Sequence, residues 1–302
     1  MMKEVFYGSL DKHGGAVSIL AGIILIAGLV LAGCATPGKG ANDPEQRFLD
    51  ALINARYDKA RALVESGVDC NKNARAFYYL FSRKNLTFEQ KIKIAKDVSK
   101  GTLTSPYILL NIEPEHYKSA IEAFGIDLGM PITVTDVPRG TTDSGSGILH
   151  LAARYNNVDL TRFLLDAGVD VNVLDSNGHT ALFYAITVYG PSINWKSPVI
   201  ENETTAKINF IGDMPYYTDA RQVQQRQVAN VLALLEAGIN INQQNHAGWT
   251  VLHIAAAAYP EGLRKLLIEH GADPGLKTNM NRTADDILRL RQSTGSPRNS
   301  PA

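Results

Sequence analysis

Three stretches of the chain repeat one phrase: Phe48–Asn71, FLDALINARYDKARALVESGVDCN; Leu149–Asn172, LHLAARYNNVDLTRFLLDAGVDVN; and Leu252–Gly275, LHIAAAAYPEGLRKLLIEHGADPG. Each has apolar residues at helical spacing, a short break, a second helical stretch, then glycine and a polar turn. A unit this short cannot bury its own apolar face, but copies stacked on one another can. The fold is therefore read from the period.

The period is 33 residues. Leu149 and Leu182 are 33 apart, and each follows a glycine by four, Gly145 and Gly178. Leu252 follows Gly248 in the same way, and 33 residues later Asp285 lies in NRTADDI, which repeats the turn and helix start. Gly67, Gly125, Gly168, Gly238 and Gly271 mark the ends of second helices, where glycine suits a left-handed C-cap. With the stretch Thr250-Val251-Leu252-His253-Ile254-Ala255, the pattern resembles the ankyrin repeat, whose unit is a β-turn and two helices around a T-P-L-H-x-A core. Two positions depart from that core: Gly147 stands for Thr before His150, and Phe183 stands for His after Thr180. The resemblance implies an all-α ankyrin-repeat solenoid of about six repeats, some degenerate, over residues 47–290. It also implies that His150 and His253 are structural, each ring bonding to turn backbone groups of a neighbouring repeat.

The rhythm fails in two places. Residues 72–140 carry amphipathic stretches (AFYYLF, FEQKIKIAKDV, EHYKSAIEAFGIDL) with glycines at irregular steps, and read as two degenerate repeats or a small helical insert. The step from Gly168 to Gly238 is 70 residues; the surplus lies at 190–221, between the two helices of one repeat. A short hairpin is expected there around Lys207–Ile211. Loops this long inside compact domains are uncommon unless functional or disordered.

Residues 1–33 read as a signal peptide. Ala16–Ala32 is almost wholly apolar and ends in Leu31-Ala32-Gly33-Cys34. The LAGC ending resembles the bacterial lipoprotein signal, which implies lipidation of Cys34, cleavage before it, and a membrane anchor of acyl chains worth about 0.8 kcal/mol per buried CH₂. The run is also long enough to be kept as a plain membrane anchor. Either reading puts the repeats outside the cytoplasm, and Ala35 after the cysteine implies outer-membrane sorting, facing the periplasm. Residues 34–46, CATPGKGANDPEQ, then form a flexible tether, and 291–302 a disordered tail.

Composition excludes more than it assigns. Thirty basic and thirty acidic residues give zero formal charge, which argues against nucleic acid as a partner. With Cys34 acylated, Cys70 is the only other cysteine and has no disulfide partner; its place, matching Val171, is a packing one. No His-x-x-x-His or Cys-x-x-Cys pair exists, so neither metal nor cofactor is expected. Asp143-Ser144-Gly145 is a lone triplet at a turn place, and aspartic-protease chemistry needs two carboxylates sharing a proton. No phosphate-binding glycine loop is present.

What remains is surface, so a non-catalytic protein-binding role is expected, with an immunity or protective function as a refinement. The turn tips Ser144 and Ser146, Asn177 and His179, and His246 and Trp249 are the candidate contacts, with Arg154, Tyr155 and Tyr184 on or after first helices. Trp249 leads because tryptophan is enriched among residues that dominate binding energy; it could instead only cover the neighbouring turn. Tyr216, Tyr217 and Trp195 in the insertion could add a second contact zone. The alternatives are an envelope enzyme with a site in 190–221 or 72–140, and a structural envelope protein with no specific partner.

Overall fold

A computed structural model describes residues 43–132, 145–187, 209–211, 214–216, 220–258 and 261–293. The chain divides into two compact units, Met1–Arg47 and Phe48–Ala302. Only residues 43–47 of the first unit are described, and the first helix begins at Pro44. The signal reading on residues 1–33, Cys34, the tether as far as residue 42 and the tail from residue 294 lie outside the described residues, whereas residues 44–46 of the expected tether and 291–293 of the expected tail are helical. Among the described residues no helix is long and apolar enough to cross a membrane.

Among the described residues the elements fall into six helix pairs and a final helix. They are α1 (Pro44–Ile53) with α2 (Tyr57–Glu65); a 3₁₀ turn (Ala74–Phe77) running into α3 (Tyr78–Phe81), with α4 (Phe88–Ser99); a 3₁₀ helix (Pro106–Asn111) with α5 (Tyr117–Phe124); α6 (Ile148–Arg154) with α7 (Val158–Asp166); α8 (Ala181–Thr187) with α9 (Ala220–Glu236); α10 (Val251–Ala258) with α11 (Glu261–Glu269); and α12 (Ala284–Ser293). The fold is the all-α stack expected, with one addition, an antiparallel hairpin of β1 (Asn209–Ile211) and β2 (Met214–Tyr216) paired Asn209 to Tyr216 and Ile211 to Met214. The hairpin expected around Lys207–Ile211 has its first strand there and its second beyond. It lies between α8 and α9, where the period predicts the surplus. Tyr216 closes β2, whereas Trp195 and Tyr217 lie outside the described residues.

Every second helix ends in a residue of positive φ: Gly67 (110°), Lys100 and Gly101 (52° and 75°), Gly125 (60°), Gly168 (82°), Gly238 (80°) and Gly271 (94°). The 72–125 region therefore has the helix-pair plan despite its irregular sequence. Its first helices are short and partly 3₁₀, which is why apolar periodicity there is blurred. Helix α4 starts on a full capping box: Thr87 Oγ1 accepts from Gln90 N–H at 3.3 Å, and Gln90 Oε1 accepts from Thr87 N–H at 2.9 Å.

Apolar stripes from both helices of each pair meet in one continuous core that includes Leu63, Leu80, Leu149, Leu160, Leu182, Leu252 and Leu263. Cys70 joins it, free and buried; burial pushes its thiol up to about 12. Asparagine side chains bind adjacent pairs along one edge. Asn71 Oδ1 accepts from Thr104 and Ser105 N–H, both at 2.8 Å. At the matching position Asn172 Oδ1 accepts from Asn240 N–H at 2.6 Å, and Asn242 Oδ1 from Asp273 N–H at 2.8 Å.

Two histidines also fasten adjacent repeats. His150 Nδ1 accepts from Gly147 N–H at 3.0 Å, so Nε2 carries the proton and donates to His179 O at 3.1 Å. His253 repeats this with Thr250 N–H at 3.1 Å and Arg282 O at 3.2 Å. In both cases the carbonyl belongs to the next tip, 29 residues on. That is the structural role the family resemblance implies.

Candidate protein-binding surface

The tips are built by short polar side chains that fold the backbone onto itself. Asp175 Oδ1 accepts from Asn177 and His179 N–H, both at 2.8 Å, and Asp175 N–H donates to His179 O at 3.0 Å. Asn245 does the same with Ala247 N–H at 3.0 Å and Trp249 N–H at 2.9 Å, and its own N–H donates to Trp249 O at 2.9 Å. The third tip closes through Thr278 N–H to Arg282 O at 2.9 Å. Consecutive tips are then laced by backbone bonds of one register, His246 N–H to Asn177 O at 3.0 Å and Asn279 N–H to Ala247 O at 3.1 Å. The result is a ladder with its side chains set at fixed intervals.

On this ladder His246 is exposed, while Trp249, His179 and Asn177 are half-buried. Trp249 lies tilted over His253, ring centroids 6.0 Å apart, so it covers its own turn and keeps an open edge. His179 is held between tips: Nδ1 meets Asp175 Oδ2 at 3.2 Å and Nε2 meets Asn245 Nδ2 at 3.0 Å. These four residues come together along two adjacent tips.

The other candidates do not join them. Ser146 is fully buried, and its hydroxyl shares a hydrogen bond with Tyr184 at 2.9 Å. Tyr184 is buried too and donates to Asp175 Oδ2 at 2.8 Å. Tyr155 is 4% exposed and shares a hydrogen bond with Tyr107. None of the three offers a partner a usable face; the interior claims them because their hydroxyls satisfy buried polar groups. Arg154 ends α6 half-buried, close enough with Arg75 to act on the Tyr107 phenol, which burial above all pushes upward. Ser144 lies outside the described residues, as do Asp143 and the rest of 133–144.

The tip ahead of α6 is also not the simple turn its sequence suggests. Its closing bond runs from Ile132 N–H to Ser146 O at 2.8 Å. The partners are fourteen residues apart, where the later tips join residues four apart.

Asp175 and Asn245 carry the surface without standing out as binding residues. The signal that could have found them is an Asp or Asn three residues before the tip glycine, in DSNG and NHAG. Burial alone would raise the Asp175 carboxyl, but the bonds from His179, Tyr184 and Asn177 outweigh it and hold the carboxyl well below the ordinary range. Exposed apolar side chains were missed as well: Met280, at the tip place of Asn177, is 84% exposed, and Leu174 is 42% exposed. Among the described residues no group of three or more His, Cys, Asp or Glu side chains could hold a metal ion.

The ankyrin-repeat family model for three copies matches residues 126–191, and that for a single repeat matches 247–279. Neurogenic locus notch homolog protein 2 of Homo sapiens is 32% identical over 142 residues, 46% of this chain and 6% of that protein. Neurogenic locus notch homolog protein 1 of Xenopus laevis is 29% identical over 147 residues, 48% of this chain and 6% of that protein. A putative ankyrin repeat protein of Fowlpox virus (strain NVSL) is 28% identical over 130 residues, 43% of this chain and 68% of that protein. The chain thus spans a small part of the Notch proteins' length. The matched residues hold the tip 175–179, helices α6, α7, α8, α10 and α11 and both structural histidines, and the chain carries ankyrin repeats stacked as an all-α solenoid.

Proposed function

We propose that this chain is a non-catalytic ankyrin-repeat scaffold, held at a bacterial membrane through lipidated Cys34 and facing the periplasm, that binds another protein through the tips 175–179 and 245–249. The observation that carries the binding role is the convergence of exposed His246 with the half-buried rings of Trp249 and His179 on adjacent, backbone-laced tips. A rigid support with aromatic edges suits hot-spot recognition, because little side-chain freedom is lost on contact. Arg154 would extend the contact onto the first helices. The anchor rests on the LAGC sequence at residues 31–34. An immunity or protective role would follow if the partner is an exported toxin or enzyme.

The test is capture of partners from membranes with the full chain, in parallel with Trp249→Ala and His246→Ala. Loss of one reproducible partner by about tenfold or more in both variants, with unchanged unfolding midpoints, supports the reading. An unchanged partner set removes it. Mass spectrometry of the mature N-terminus decides the anchor, since an intact chain with unmodified Cys34 overturns lipidation while leaving the binding role standing.

A further inference from the structure

The side-chain bond between the two candidate tips has a direction, and the direction depends on charge. Asn245 Oδ1 is occupied by Ala247 and Trp249 N–H. Its amide therefore cannot turn over, and Nδ2, a donor, faces His179 Nε2 at 3.0 Å. Nε2 must accept, so the proton of neutral His179 sits on Nδ1, where the Asp175 carboxylate takes it. Two independent constraints, one at each ring nitrogen, select the same tautomer.

Adding a proton to this ring changes its two sides oppositely. Toward Asp175 the bond becomes charge-assisted, roughly twice as strong as a neutral one. Toward Asn245 it becomes a donor facing a donor. The ring stays with its own tip, and the link to the next tip breaks. We propose that the His179–Asn245 bond is an acid-labile latch between adjacent tips, closed while His179 is neutral and opened by its protonation.

The groups facing His179 favour this outcome. Asp175 lies below it with no exposed side-chain surface, and it also holds the Tyr184 hydroxyl from α8. His150 on α6 donates to the His179 carbonyl, leaving the ring alone. His246 on the next tip packs its ring edge near Gly178. His179 is part-exposed, its side chain at 26%, so solvent protons reach it. Histidine is the side chain whose charge ordinarily changes between pH 5 and 8. The latch stands on intramolecular geometry and holds whether or not these tips bind a protein.

The experiment is a nitrogen-15 NMR titration of the folded repeats from pH 8 to pH 5, following the Asn245 side-chain amide and the His179 ring together. Hydrogen exchange of the Ala247 and Trp249 amides, corrected for intrinsic rates, is read over the same range. The Asn245 amide is expected to move with the same midpoint as the His179 ring. Protection of the two backbone amides is expected to fall about tenfold as that ring becomes charged, because Asn245 loses one of its anchors. In His179→Gln the co-titration disappears. In Asn245→Asp, which turns the donor into an acceptor, acid strengthens protection. An Asn245 amide that does not follow His179, a His179 ring that does not titrate in this range, or a response persisting in His179→Gln overturns the latch. Should His179→Gln not fold, the sign of the effect in Asn245→Asp decides.

Discussion

At the residue scale, the chain places its polar side chains by the groups they satisfy more than by type. His150 and His253 are buried to within 1% of complete, and each accepts from one backbone N–H and donates to a carbonyl of the next tip. Burial lowers the tendency of both rings to take a proton, and the carbonyl bonds only partly offset this. The folded affinity for a proton is thus below the unfolded one, so the unfolded state takes up protons first. The stability from these rings is complete above about pH 6.5, the ordinary histidine value, and is lost as pH falls from there toward the lower folded values. Thermal midpoints measured at pH 7.5 and pH 5.5 should therefore drop on acidification. His253→Gln should lower stability at pH 7.5 by roughly 1–3 kcal/mol, because it strands a buried carbonyl or N–H, and should flatten the pH slope. An unchanged slope would assign the acid sensitivity to other groups.

The histidine role was legible through the resemblance to the ankyrin repeat, which implies a ring bonded to turn backbone groups of a neighbouring repeat. The burial of Ser146, Tyr155 and Tyr184 was not. Their positions mark them as tip or first-helix residues, but whether such a residue faces out depends on its neighbour in the next unit. For Ser146 and Tyr184 that neighbour is each other, 38 residues apart. Ile132 closing a tip with Ser146 was illegible for the same reason: a local turn motif at 143–145 competes on paper with a bond between residues fourteen apart.

At the element scale, the long helix α9 supplies a side-chain cap to α8. In an uninterrupted pair, the backbone after the first helix turns back and caps it: Arg56 N–H donates to Ala51 O at 2.8 Å, and Asn157 N–H to Ala152 O at 2.9 Å. Ala185 is the matching residue of α8, 33 after Ala152. Its carbonyl accepts from the Gln227 side-chain amide at 2.7 Å, from a buried position on α9. Asn230, one turn on, donates to Ala153 O at 2.9 Å. At 17 residues α9 is the longest helix described, against nine for α7 and α11. Its added N-terminal turns carry Gln227 to the carbonyl. Gln227→Leu is expected to destabilise the fold by roughly 1–3 kcal/mol through the orphaned carbonyl. The effect should sit at the lower end, because Gln227 Oε1 has no partner among the described residues and its removal is a gain. Denaturant unfolding checks this, and an unchanged midpoint would mean that Ala185 is satisfied without Gln227.

At the scale of the whole repeat stack, stability is a chain of nearest-neighbour contacts, so damage should stay local. Gly248 gives a way to cut one link. Its φ of 77° suits glycine, and a Cβ there would lie 2.6 Å from Asn279 N and 2.6 Å from Asn279 Oδ1. Those atoms belong to the next tip, and Asn279 N–H to Ala247 O is the bond that laces the two together. Gly178, at the same place one tip earlier, is less crowded: a Cβ there would lie 3.2 Å from a side-chain atom of His246, 3.3 Å from Asn245 Cα and 3.4 Å from His246 N. Gly248→Ala therefore combines left-handed strain with a backbone collision and should cost roughly 1–3 kcal/mol or more. Gly178→Ala combines the same strain with a tight approach short of collision and should cost less. Because α12 packs chiefly on α10 among the described residues, Gly248→Ala should detach α12 and its tip before anything else opens. Native-state hydrogen exchange would show protection lost over residues 278–293 and kept in α2 through α7. Uniform loss across all helix pairs would mean that the stack unfolds as one cooperative unit, and that the rhythm seen in the sequence is a rhythm of construction without a matching rhythm of stability.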